Sequence, residues 1–273
     1  MGIDAGSKHI GISATTEKRV LYEADVELRN DIVDLLSSRR EARRSRRNRK
    51  TRYRQARFNN RKRKNEWLAP SVMQKIQTHL NAVDSVHRIL PISEINVEVA
   101  NFDIKTIKRT HSFRDAAFMG IMRWACYNKL KEQYPDVSLT YGYITKKTRI
   151  ENNLPKEHYI DARCISGNPL AESDSSLFLY KKVRRHNRKL FKDKILKGGK
   201  AKPNQCPYTV FGFHRFDIIK WEDRHCFINS LRARGIFVIK DLEDKDFQKE
   251  VNYKKLSKVQ SRNGYITKFI KIF

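Results

Sequence analysis

The chain has 273 residues, with 58 Lys or Arg against 30 Asp or Glu and a net charge of +28 at neutral pH. Hydrophobic residues make up 39% of it, enough for one larger domain and a smaller one with a largely cationic surface. That charge points to a polyanionic partner, and no apolar run approaches the ~20 residues that span a bilayer. The cysteines Cys126, Cys164, Cys206 and Cys226 are scattered without a C-x-x-C pair. That spacing argues against a structural zinc site and a disulfide framework, and with no secretory signal a cytoplasmic protein is expected.

The first 28 residues, MGIDAGSKHIGISATTEKRVLYEADVEL, read as three short strands with turns at Gly6-Ser7-Lys8 and Glu17-Lys18-Arg19. Asp4 interrupts the apolar pattern of the first. A carboxylate on a central strand is costly unless it is paired or binds a metal; a turn-capping role is the plainer alternative. Ala5-Gly6 leaves the adjacent backbone bare enough for a phosphate to approach.

NDIVDLLSSRR, from Asn30, is a helical lead-in to residues 39–64, where fifteen Lys or Arg face Glu41 alone. No Pro or Gly interrupts this stretch and Arg is a good helix former, so one helix of roughly 39 Å is expected. Like charges at i,i+4 repel, and phosphates on both sides would cancel that repulsion. The excess of Arg over Lys favours bidentate phosphate recognition. The candidates are Arg39, Arg40, Arg43, Arg44, Arg46, Arg47, Arg49, Arg52, Arg54, Arg57 and Arg61. A disordered basic tail or a localisation signal is the competing reading. Trp67 is expected to pack on the domain, Phe58 is open between packing and stacking on a base, and Pro70 marks a break.

Val72, Ile76, Leu80, Val83, Val86 and Leu90 give residues 71–90 one buried helical face, ended by Pro91. EINVEVANF follows as a strand, with Glu98 on the face opposite Ile95, Val97 and Val99; a solvent-facing Glu is the simplest reading. Residues 113–135 read as an amphipathic helix and VSLTYGYITK (137–146) as a strand. LPKEHYIDARCISGNPL reads as a short helix with His158 and Asp161 three apart on one face, an arrangement suited to metal ligation or proton transfer. A lone His is more often structural. Three strands, a helix, a strand, a helix, a strand and a helix, with acids on the first strand, the fourth strand and the last helix, is the layout of an RNase H-like nuclease. Three such carboxylates can gather two divalent ions about 3.5–4 Å apart.

Residues 181–204 are basic again, with Arg184, Arg185 and Arg188 as a second group of phosphate-binding candidates. Residues 208–243 read as short strands of a small β-barrel. Basic strands follow, with Asn263-Gly264 expected as a hairpin turn.

GIDAGSKHIGIS, RREARRSRRNRKTRYRQARFNNR, NVEVANFD, LPKEHYIDARCISGNPL and KKVRRHNR, in this order, resemble the IscB/IsrB proteins. These are transposon-encoded, RNA-guided DNA nucleases related to the ancestors of CRISPR type II effectors. The resemblance is collinear over most of the chain and loosest after about Thr209. It implies an α/β, RNase H-like (RuvC) fold split by an arginine-rich bridge helix, plus a small basic β-rich C-terminal module. The implied segments are RuvC part I at 1–36, the bridge helix at 37–66, part II at 67–110 and part III at 111–176. An RNA-binding, target-adjacent-motif-interacting region follows at 177–273.

By motif, Asp4 and Glu98 match the first and second catalytic acids, and His158 and Asp161 the third motif's pair. Asp4, Glu98 and Asp161 would hold two Mg²⁺ ions, with Mn²⁺ as an alternative, and His158 would ligate or orient the attacking water. The implied partners are a structured guide RNA and a double-stranded target DNA, held as a guide–target heteroduplex with a displaced strand. The protein would be a monomer within a ribonucleoprotein, with no membrane involved, and would nick the displaced strand.

Two departures stand out. Only seven residues separate Asp103 from His111, and the H-N-H ligand set with its cysteine pairs is absent, which fits the IsrB type. Relatives also carry a small N-terminal module, so Asp4, close to the start of this sequence, is expected to be poorly braced. Two rival readings remain, an unguided nuclease of the Holliday-junction resolvase kind and a non-catalytic RNA-binding scaffold.

Overall fold

The computed structural model describes residues 1–47, 67–99, 113–184 and 206–271, the side chains of 45–47 and 113–118 excepted. The three opening strands form as expected: β1 (Gly2–Ala5), β2 (His9–Thr15) and β3 (Val20–Glu27), each antiparallel to the next. Strand β4 (Ile95–Val99) lies parallel to β1, and β5 (Val137–Tyr141) parallel to β4. On the other side β6 (Ser176–Lys182) runs parallel to β3 and pairs with β14 (Tyr265–Lys271). The result is a mixed seven-stranded sheet, ordered β14-β6-β3-β2-β1-β4-β5.

Period-two alternation gives this sheet two unlike faces. The registers Gly2↔Ser13, Asp4↔Gly11, Ser13↔Glu23 and Gly11↔Asp25 place these polar and small residues together on one face. Ile3, Ile12, Ala24 and Val97 lie on the other and form the main core. Helices α2 (Pro70–His87) and α3 (Phe113–Gln133) cover that apolar face, with Val72, Ile76, Leu80, Val83 and Val86 buried as their spacing predicts. Pro70 opens α2 at its first turn, where a missing N–H leaves no intrahelical bond unmade.

Helix α5 (His158–Ile165) crosses the polar face. It lies against the backbone because two side chains are absent. A Cβ at Gly2 would collide with the Ala162 carbonyl, and one at Gly11 with the His158 carbonyl. Beneath α5 the buried Glu23 accepts two 2.8 Å hydrogen bonds from Arg163, a bidentate pair that fixes helix to sheet.

Several expectations are corrected. The strand expected over 137–146 ends at Tyr141, and helix α4 (Gly142–Glu151) begins at once, because its polar, Lys-rich sequence lacks strand alternation. Trp67 is 45% exposed, so it is only partly covered. Asp4 is firmly held: β1 is flanked on both sides, and the Met1 amino group donates to the Glu94 carbonyl at 2.7 Å. Of the arginine helix, α1 (Ile32–Arg47) is present, with Arg39, Arg40, Arg43 and Arg44 exposed. The side chains of Arg46 and Arg47, and all of Arg49, Arg52, Arg54, Arg57, Arg61, Arg185, Arg188 and Phe58, lie outside the described residues.

A second module has its own core, built on Ile219, Ile228, Phe237 and Ile239. It comprises a hairpin of β7 (Thr209–Val210) and β8 (Phe213–His214), followed by β9 (Ile218–Trp221), β10 (Arg224–Leu231) and β11 (Ile236–Lys240). With β12 (Gln248–Asn252) and β13 (Ser257–Gln260), the last three form an antiparallel sheet ordered β12-β11-β10-β9-β13. Asn263-Gly264 is not a hairpin, since β13 and β14 belong to different sheets. Gly264, at φ +99°, turns the chain back to the main sheet, while Asn263 Oδ1 accepts from the Tyr265 amide. The expected boundary at residue 177 therefore does not follow the sheets. Lys268 of β14 ties the two together through 2.7 Å contacts to Asp241 and Glu243. All four cysteines are free, and among the described residues no helix is long and apolar enough to cross a membrane.

Candidate active site

The carboxyl ends of the parallel strands β1 and β4 open into a cavity of about 550 Å³. Crevices at such strand ends are the usual ligand sites of open α/β sheets. Because Ile3 pairs with Val97, Asp4 and Glu98 stand one position further along neighbouring strands and project to the same side. Helix α5 adds His158 and Asp161 from above. The four candidates, from three distant segments, therefore line one cavity. Asp4 and Glu98 are 6% and 7% exposed, which removes the solvent-facing reading of Glu98.

His158 Nδ1 meets Asp4 Oδ2 at 2.7 Å, and its ring stacks on His9 with centroids 5.1 Å apart. His9 in turn contacts Asp25 at 2.9 Å. The hydrogen bond to Asp4 raises the His158 pKa against the opposing effect of burial. Burial, followed by the charge of Asp4, raises that of Asp161.

Two arginines that the sequence reading did not single out complete the site. Arg123 of α3 anchors Nε on the Ala5 carbonyl at 2.9 Å, donates Nη1 to Glu98 at 2.6 Å and lies 3.7 Å from Asp4. Arg149 of α4 approaches Asp161 at 2.9 Å. That contact lacks hydrogen-bond alignment, so Asp161 Oδ1 and Arg149 Nε are both buried without a hydrogen bond, as is Thr145 Oγ1. Lys8, Lys146 and Lys156 add cations to the cavity lining. Gly142 lies so close to Glu98 that a side chain there would press on the carboxylate at 3.2 Å. One signal for Arg123 was legible, a single cation inside the apolar run GIMRWAC. Arg149, among other basic residues in TKKTR, gave none.

Among the described residues no three His, Cys, Asp or Glu side chains converge closely enough to form a metal cage. The donor chemistry nonetheless suits hard divalent cations, which prefer carboxylate oxygens. Asp161 Oδ1, ion-paired with Arg149 but accepting no hydrogen bond, has acceptor capacity left. The acids here are paired with Arg123 and Arg149, and His158 hydrogen-bonds Asp4. A phosphodiester is the natural ligand for those cations, and releasing the acids from them would free oxygens for metal.

Residues 1–116 match the family model described as RRXRR protein, a span that takes in β1, the arginine-rich stretch and Glu98. No curated protein matches the chain.

Proposed function

We propose that this chain is an RNA-guided DNA nuclease of the IscB/IsrB kind, which nicks the displaced DNA strand in a RuvC-type site. The observation that carries the reading is the convergence of Asp4, Glu98, His158 and Asp161 in one cavity. Two further findings support it. The strand order β3-β2-β1-β4-β5, with β4 parallel to β1 and β5 parallel to β4, is compatible with the RNase H-like sheet this reading expects. The RRXRR family is associated with IscB/HNH-type nucleases.

Asp4, Glu98 and Asp161 would hold two Mg²⁺ ions, or Mn²⁺. When bound, these would supply charge stabilisation and a more acidic attacking water. His158, donating Nδ1–H to Asp4, keeps Nε2 as the nitrogen available to accept a proton. Arg123, Arg149 and the rim lysines draw the phosphodiester into the cavity and orient it. Exposed Arg39, Arg40, Arg43 and Arg44 grip RNA phosphates, and pairing of that RNA with DNA supplies sequence specificity. A single nuclease centre cuts one strand.

The test is to sequence the RNA that co-purifies with the protein, then assay that preparation for Mg²⁺-dependent nicking of a matched supercoiled plasmid. One dominant structured RNA with guide-dependent nicking is expected. RNA without nicking would leave a binding scaffold, and nicking without a discrete RNA would leave an unguided nuclease.

A further inference from the structure

Away from the acidic cavity, two clefts meet where the main sheet adjoins the second module. One, of about 470 Å³, is lined by Tyr208, Asn229, Ser230 and Arg262. The other, of about 600 Å³, reaches the root of α1 at Asp34 and Leu35. Arg184, Arg215 and Phe216 line both, so the two clefts join at these residues.

Their chemistry is that of a nucleotide site. Arg215 lies over the Phe216 ring at 4.5 Å, and Arg262 over the Tyr208 ring at 4.2 Å. Two guanidinium–aromatic stacks therefore line one cleft, the combination that single-stranded nucleic acid binders use for bases and phosphates. The neighbouring cations differ: Arg29 is paired with Asp31 and Lys181 with Glu27, whereas among the described residues neither Arg184 nor Arg215 has a carboxylate within 4 Å, Asp31 acting on Arg215 only from further off. The Asn229 amide lines the cleft with no side-chain hydrogen bond among the described residues and offers both a donor and an acceptor to a base edge.

The backbone here is strained. Phe216 has φ +73°, a left-handed conformation that a bulky L residue rarely adopts. Asp217, fully buried, holds it there by accepting from the amides of His214 at 2.8 Å and Arg262 at 3.0 Å, with Lys258 Nζ 3.1 Å away. The Phe216 amide itself donates to the Ile228 carbonyl at 2.7 Å. Strain kept in place by so many contacts marks a side chain whose direction matters.

We infer that this junction binds an unpaired nucleotide of the RNA carried by the arginine helix, the base stacking on Phe216 and the flanking phosphates meeting Arg184 and Arg215. The inference rests on the RNA-binding part of the proposed function, and the choice of RNA follows from the cleft's continuity with the root of α1.

The test uses the full chain with a ten-residue single-stranded RNA carrying 4-thiouridine, and the matching thio-substituted DNA. Near-ultraviolet cross-links are mapped by mass spectrometry and affinity is followed by fluorescence anisotropy. RNA cross-links within residues 206–216 are expected. Phe216→Gly removes the ring while relieving the backbone, so its melting temperature should hold while this cross-link falls by about fivefold or more. Arg184→Gln with Arg215→Gln should lower the salt slope of binding by roughly 0.7 per lost phosphate contact.

Strong RNA binding with cross-links only elsewhere would overturn this site and leave the proposed function standing. Equal or stronger cross-linking of the DNA would overturn the RNA assignment. An absence of RNA binding would overturn both. Phe216→Gly binding and cross-linking like wild type would show that the strained ring has no part in it.

Discussion

Two acid–arginine groups lie on the same face of the same sheet under the same helix, and they are built differently. Glu23 and Arg163 are closed on one another: two 2.8 Å bonds, a nearby Ser13 hydroxyl and a carboxylate only 2% exposed. At the other end of α5, Asp4, Glu98 and Asp161 share His158, Arg123 and Arg149, and Asp161 Oδ1 has an ion pair without a hydrogen bond. The first pair has no capacity left for a ligand, and the second has oxygens and cations able to exchange partners. Burial alone does not separate a structural acid from a reactive one; unspent hydrogen-bonding capacity beside a cavity does.

Substitutions at the two ends should therefore fail in different ways. Asp4→Asn should lower nicking ~1000-fold or more while leaving the melting temperature within a few degrees of wild type. A collapse of thermal stability would place Asp4 with the structural acids. Arg163→Met should do the reverse, costing about 3–5 kcal/mol in urea unfolding by stranding the buried Glu23 charge. Adding Glu23→Leu should restore most of that loss, and a double variant as unstable as the single would mean the pair does more than neutralise itself.

Gly11→Ala tests the join between the two ends. The added methyl meets the His158 carbonyl, so α5 must lift and carry His158 and Asp161 with it. A displacement near 1 Å should cost nicking roughly 100-fold, and undiminished activity would show that the helix position is not critical.

The smallest effect concerns pH. His79 of α2 is fully buried behind β1, and burial lowers its pKa to about 4. The folded value lies below the ordinary ~6.5 of an unfolded His. Its contribution is thus complete above pH 6.5 and is lost as pH falls from 6.5 through 4. In urea unfolding His79 should account for about 2 kcal/mol of stability lost between pH 8 and pH 5, the part of the pH dependence that His79→Leu removes.

Much of this was legible in the sequence because local patterns sufficed. Alternation gave the first three strands, the 3.6-residue spacing gave α2, and Asp4 stood out as a charge in an apolar strand. The unread parts depended on contacts between distant segments. Glu98 looks like any polar residue on one face of a strand; only its neighbour β1 makes that face a cavity floor. Glu23 and Arg163 are 140 positions apart, and nothing local couples them. Phe216 and Asp217 gave no sign of strain, since φ is set by hydrogen bonds from His214, Ile228 and Arg262. Asn263-Gly264 announced a turn correctly, but a turn signal does not say which strands it joins.

The placement of β14 has a consequence for biosynthesis. The ribosome releases β6 well before its partner, since β14 begins more than eighty residues later, after the whole second module. At typical elongation rates of about 5–20 residues per second, that leaves β6 an unpaired edge for several seconds. Open edges of this kind invite pairing with other chains. If the proposed RNA engages α1 during translation, it would meet a nascent protein whose main sheet is not yet closed, and assembly with RNA and completion of the fold would overlap in time.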